Sequence, residues 1–145
     1  MLLRQDRALT AIAVVLDVAF HQAAGPVNGG EIAERIGQPR RGIEPLLQAL
    51  SRTQVLESLR GPRGGYRLGR PARALTLAAI VHAVVEAEEA EPTGTLPRIV
   101  LVPLWRELNG LVEQRLADLT VADLIHQAEA AGLQRAAGAP PNFAI

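Results

Sequence analysis

The 145-residue chain contains no cysteine. Disulfides, thiol redox sensing, thiolate metal sites and cysteine-held clusters are therefore excluded within it. Lysine is missing too: all 15 basic residues are arginine. Aromatics make up only 3% of the chain, so a core drawn from its 48% hydrophobic residues must be mostly Leu, Val, Ile and Ala. No run of about 18 apolar residues occurs, so no membrane span is expected. No N-terminal stretch combines a basic region, an apolar run and a cleavage site, so no signal peptide is expected. A cytoplasmic protein is the default expectation.

Catalytic signals are lacking as well. No nucleophile–base pair, phosphate loop or metal motif is found, and "GPRGG" (61–65) does not fit a phosphate-loop pattern. His21, His82 and His126 show no spacing that suggests one metal site, although His82 and His126 could meet in space. No enzyme, cofactor or metal is expected.

What is present is a divided charge. The formal net charge is zero, yet residues 1–75 carry 11 Arg against 6 acids, and residues 76–145 carry 4 Arg against 9 acids. The densest part is 38–73, with eight Arg against Glu44 and Glu57. A basic half followed by an acidic half points to a polyanionic partner that the whole-chain balance hides.

Leu9, Ile12, Leu16 and Phe20 recur at helical spacing and predict a buried helix over 8–22. "AAGPVNGG" (23–30) is a break. A short helix is expected over 31–37, closed by Gly37. A second over 40–52 places Ile43, Leu46, Leu47 and Leu50 on one face. Arg41, Glu44 and Gln48 fall on another face. Helix, short turn, helix is the helix-turn-helix arrangement. Strands over 55–60 and 65–68 can then pair around the glycine-rich tip of "RGPRGGYRL" (60–68), which makes a wing. Thr76 is placed to cap a helix over 77–87, an acidic linker is expected over 88–97, and a long helix over 98–119. Pro103 should lie near the first turn of that helix, where its missing N–H costs little. Leu101, Leu104, Leu108 and Leu111 form an apolar seam along it, with Trp105 and Val112 beside them. Thr120 caps a last helix over 121–131, with Asp123 at the third position. "LTLAAIVHAVV" (75–85) is similar to "LTVADLIHQAE" (119–129), as an internal duplication or as two similarly capped amphipathic helices.

The fold class expected is mainly α with a small β-hairpin: a winged helix-turn-helix over 1–75, a helical dimerisation region over 76–131 and a loose tail over 132–145. The runs "EIAERIG", "IEPLLQALSR", "SLRGPRGGYRL", "LTLAAIVHAV" and "PLWRELN" together resemble the Rrf2 family of bacterial transcription regulators, over about residues 4–128. The resemblance implies a homodimer in which the long helix crosses to the partner, burying Leu101, Leu104, Trp105, Leu108, Leu111 and Val112. Iron–sulfur members of that family carry three cysteines and often a histidine between the wing-following helix and the long helix. Here Ile99 and Val102 stand where the last cysteine and the histidine would be, and residues 88–106 hold neither residue type. The resemblance therefore implies a cluster-free member, with its signal unassigned.

Double-stranded DNA is the expected partner. Arg40 and Arg41 open the recognition helix, whose N-terminal end meets base edges in the major groove. Bidentate arginine–guanine contact gives about 1–3 kcal/mol of discrimination. Pro45 leaves two registers open: a helix from Arg40 interrupted by the proline, or a helix from near Gly42 with both arginines in the preceding loop. Glu44 accepts from cytosine N4, excludes wrong bases by repulsion, or pairs within the helix with Arg40, Arg41 or Gln48; it also matches a glutamate at this helix position in some members of the family that the chain resembles. Arg63 at the wing tip suits a narrow minor groove. Arg60 and Arg67 flank it and suit phosphate. Arg7, with Arg4 nearby, precedes the first helix where the family often has a phosphate-touching basic residue. Tyr66 reads as packing beneath the wing. The function expected is a homodimeric regulator, most often a repressor, on a palindromic operator, with an unassigned small-molecule or protein effector. The alternative is a winged-helix module that binds protein and not DNA.

Overall fold

The computed structural model describes residues 5–85 and 92–135. The acidic run at 86–91, Arg4, and the tail beyond 135 lie outside the described residues. The helices are α1 (Gln5–His21), α2 (Gly29–Ile36), α3 (Arg40–Arg52), α4 (Leu77–Val84), α5 (Val102–Asp118) and α6 (Val121–Ala130). Strands β1 (Leu56–Leu59) and β2 (Gly65–Leu68) form one antiparallel hairpin between α3 and α4.

Helix α1 is the central post of the fold. Ala11, Val14, Val15 and Val18 are fully buried, and small side chains there let neighbouring helices approach closely. The expected stripe through Leu9 is corrected: Leu9 is 62% exposed, while Ile12 and Leu16 pack at the edge of the core. The segment Arg7–Ala24 is apolar enough, at a mean hydropathy of 1.3, to meet a membrane-span criterion by composition. Here it supplies the middle of the core.

Around that post, α2 and α3 form the helix-turn-helix. Asn28 caps α2 by accepting from Gly30 N–H at 2.8 Å. Gly37, at φ +70°, ends it in the left-handed conformation. The Arg35 guanidinium grips the Asp17 carboxylate with two hydrogen bonds, 2.9 and 3.0 Å, and so fastens α2 to α1. Paired donors and acceptors of this kind are geometrically specific. Ile43, Leu46, Leu47 and Leu50 of α3 are buried, as their spacing predicts. The helix starts at Arg40 and runs through Pro45, so the first of the two registers is the one adopted. It closes with two reversed bonds, Val55 N–H to Leu50 O and Gln54 N–H to Ser51 O, with Gln54 at φ +62°.

The same core continues into α4 and α6. Leu77, Ile80, Val84, Val121 and Ile125 join the cluster built by α1–α3, so the boundary expected at residue 75 does not divide the core. The two similar segments, 75–85 and 119–129, meet each other directly. Leu77 N–H donates to Leu119 O at 2.8 Å, and Val121 N–H donates to Leu75 O at 2.9 Å. This reciprocal bridge joins Thr76 and Thr120, and each hydroxyl caps the helix that follows it. Around Thr120 the cap is a box, with Asp123 accepting from Thr120 N–H at 2.9 Å.

The long helix departs from its expected start. Arg98 N–H donates to Gly94 O, so helical winding begins several residues before Pro103. Over Pro97–Leu101 the winding is π-type, with Val102 N–H reaching back to Pro97 O. Pro103 is the second residue of α5, in the first turn of the regular helix as expected, with the π-type segment directly ahead of it. A widened turn is a known way to make room for a proline ring against the carbonyl four residues back. No residue of α5 is buried.

Candidate nucleic-acid interface

The wing is held to the head by main-chain pairing on both sides. β1 and β2 pair in the register Leu56–Leu68, Glu57–Arg67, Ser58–Tyr66 and Leu59–Gly65. Val27 adds two more bonds to Tyr66, each 2.8 Å, on the far side of β2. A side chain at Gly65 would put its Cβ 2.5 Å from Val27 O, so only glycine allows this approach. Gln22 Oε1 accepts from Leu68 N–H at 2.9 Å and ties the wing root to the end of α1. The tip turns at Gly61, φ +115°, with Gly64 N–H bonded to Gly61 O.

On this frame the exposed side of α3 faces the wing. Arg40, Glu44, Gln48 and Arg52 recur at i, i+4 spacing opposite the buried face. A cleft of about 340 Å³ between α3 and the hairpin is lined by Gln48, Ser51, Arg52, Ser58 and Tyr66. The Ser51 hydroxyl is buried there and has no hydrogen-bond partner among the described residues. Burial pushes the Tyr66 phenol up; Glu44 adds to that shift and Arg40 opposes it. Tyr66 thus packs under the wing, as expected, and also forms the floor of the cleft.

The expected contact residues fall into two groups. Arg41, Arg60 and Arg63 are exposed and make no hydrogen bond or ion pair to a described residue. Arg40 reaches Glu44 at 4.0 Å, the outer limit of an ion pair, with both side chains near water. Such a surface pair contributes little and is readily exchanged for another partner. By contrast, Arg67 donates to Glu57 at 2.8 Å across the hairpin. That hydrogen bond holds the Glu57 carboxyl below the usual carboxylate range and raises Arg67. Arg7 is likewise engaged, donating from Nε to Val84 O at 2.6 Å and closing the C-terminal end of α4. Gln48 is exposed and lines the cleft. Arg52, Ser51 and Ser58 were not anticipated from the sequence. The i, i+4 continuation from Gln48 to Arg52 was the available signal; Ser58 is revealed only by the hairpin register.

Away from the wing, α5 exposes a row of large apolar side chains. Leu101 is 53% exposed, Leu104 47%, Trp105 39%, Leu108 37% and Leu111 58%. Leu96, Ile99 and Val100 extend the row towards its start. Val112 is half-buried. His82 does not meet His126; its ring nitrogen lies 2.8 Å from a Glu113 oxygen and links α4 to α5.

Comparison with known proteins identifies the arrangement. The model of the Rrf2 family, described as an iron-dependent transcriptional regulator, matches residues 5–127. The HTH-type transcriptional regulator IscR of Sodalis glossinidius is 34% identical over 125 residues, covering 82% of this chain and 76% of that protein. IscR of Yersinia enterocolitica is 34% identical over 122 residues, covering 80% and 74%. Among solved structures, T. potens IscR superposes with a TM-score of 0.73 at 26% identity, over 90% of each chain. CymR, the global cysteine regulator of B. subtilis, shares the fold with a TM-score of 0.66 at 22% identity, over 83% of this chain and 94% of that one. The iron named in the family description finds no matching ligand set here. The chain has no cysteine, and the described residues hold no group of three or more His, Asp or Glu placed to bind a metal ion. By sequence and by fold, the chain belongs to the Rrf2 family of DNA-binding transcription regulators.

Proposed function

We propose that this chain acts in the cytoplasm as a homodimer on a palindromic operator and represses by occluding a promoter. The observation that carries the dimer is the exposed apolar row on α5. Eight large apolar side chains from Leu96 to Leu111 stand exposed along the π-type segment and α5, in which no residue is fully buried. A contiguous apolar surface of this kind marks an interaction site. A second copy of the same helix is its natural cover, since a two-fold interface is self-complementary.

In this reading Arg40 and Arg41 enter the major groove from the first turn of α3, with Glu44 and Gln48 one and two turns on. Glu44 exchanges its weak pair with Arg40 for a base. Arg63 reaches the adjacent minor groove from the wing tip. The cleft between them receives the intervening phosphate, with Arg52, the Ser51 hydroxyl and Ser58 as donors and Arg60 beside it. Arg67 and Arg7 take supporting parts: one stiffens the hairpin through Glu57, the other fixes α1 to α4. Two heads related by the dimer axis read half-sites about one helical turn apart.

The test is a paired substitution on the row. Leu108→Glu with Leu111→Glu puts two charges where an apolar contact is proposed, which a dimer cannot bury without large cost. The expected result is a folded monomer by sedimentation, with half-site affinity retained and full-operator affinity lost. A variant that still sediments as a dimer places the interface elsewhere.

A further inference from the structure

Without a cysteine, and with no metal-binding group among the described residues, any chemical signal must reach this chain by another route. A second cleft, on the opposite side of the wing from α3, offers one. It encloses about 440 Å³ where the end of α1, the root of β2, α6 and the segment after α6 converge. Its walls include Phe20, Leu68 and Ile125. Its polar lining is Gln22, Arg67 and Arg135. Among the described residues, no carboxylate lines it.

The charges are arranged for an anion. Arg67 gives one edge to Glu57, and Arg135 gives its Nε to Glu129 at 3.2 Å; neither acid lines the cleft. A guanidinium has five donors, so each arginine keeps several. Gln22 spends its carbonyl oxygen on Leu68 N–H, which leaves its amide N–H groups as donors. The donors that these ion pairs leave over, with the Gln22 amide and set against apolar walls, suit a small carboxylate with an apolar body.

We infer that this cleft binds an amphipathic monocarboxylate, the acid between Arg67, Arg135 and Gln22 and the apolar body against Phe20 and Ile125. An occupant would touch the wing root and α6 together, which makes the cleft a route from a small molecule to the wing. The consequence for transcription rests on the regulator reading above; binding itself does not.

The probe is 3-phenylpropionate, with 3-phenylpropionamide as its uncharged match, added to full-length protein carrying isotope-labelled isoleucine methyl groups. The Ile125 methyl resonance should shift saturably with the acid and not with the amide. The Ile99 methyl, in the π-type segment before α5 and not part of the cleft lining, should stay in place. Arg135→Gln should weaken the acid about tenfold, the loss of a charge-assisted contact. Any of three results overturns the site: no Ile125 shift, equal shifts with acid and amide, or an affinity that Arg135→Gln leaves unchanged. DNA binding by the unliganded protein is measured alongside. If it persists while the probe fails, only the cleft is refuted; if it is absent, the fault lies with the regulator reading.

Discussion

At the scale of single residues, an arginine's value depends on whether it is already engaged. Eight arginines crowd residues 38–73, and the sequence alone cannot rank them. The hairpin register pairs Arg67 with Glu57, while Arg63 stands alone at the tip. Arg63→Ala should therefore weaken DNA binding and lower the salt slope by about 0.9, the share of one phosphate contact; affinity titrations at several salt concentrations would show it. An unchanged slope would remove the wing tip from the interface. The Glu57–Arg67 pair has its own signature in pH. Glu57 is held below its ordinary value by the hydrogen bond from Arg67, so its contribution to stability is present above the unfolded carboxylate pKa. That contribution is lost as pH falls through the lower folded value. A carboxyl titration followed by NMR should place Glu57 below the ordinary glutamate range, and Arg67→Gln should return it there.

At the scale of elements, what the sequence made legible was what depends on local chemistry. The period of Ile43, Leu46, Leu47 and Leu50 marked the buried face of α3, while Pro45 left its start open between Arg40 and the neighbourhood of Gly42. The glycines of "RGPRGGYRL" marked the wing, and Thr76 and Thr120 marked two helix starts. What depends on distant partners was not legible. Leu9 has the right spacing for the core, yet the neighbouring helices pack against the smaller residues Ala11, Val14, Val15 and Val18. The proline rule placed Pro103 in the first turn of α5, but the π-type winding over Pro97–Leu101 ahead of it carries no local sequence mark. The engagement of Arg7 with Val84 O joins residues 77 positions apart, which no local pattern encodes. The twin caps at Thr76 and Thr120 support a prediction here. Thr120→Ala removes the hydroxyl that accepts from Asp123 N–H and should cost about 1 kcal/mol. Chemical denaturation should report a lower midpoint at an unchanged slope. A midpoint that stays in place would mean that the reciprocal Leu77–Leu119 and Val121–Leu75 bonds hold that corner alone.

At the scale of the whole molecule, the uneven charge and the uncovered helix point the same way. The basic half folds into the head that carries α3 and the wing, and the long helix of the acidic half carries the apolar row. In the reading proposed above, one surface meets DNA and the other a second copy, which would make a two-headed reader of DNA. The family and fold were legible from the wing, the helix-turn-helix and the seam on α5. The cleft at the wing root was not, because its lining comes from residues 19–26, 67–72, 125 and 135, which only the fold brings together. The most direct measurement is to incubate the purified protein with fragmented genomic DNA at low and moderate salt, recover what is bound, and sequence it. The account predicts enrichment of a palindromic site with half-sites about one helical turn apart. Fragments recovered without any shared site, at either salt, would contradict it.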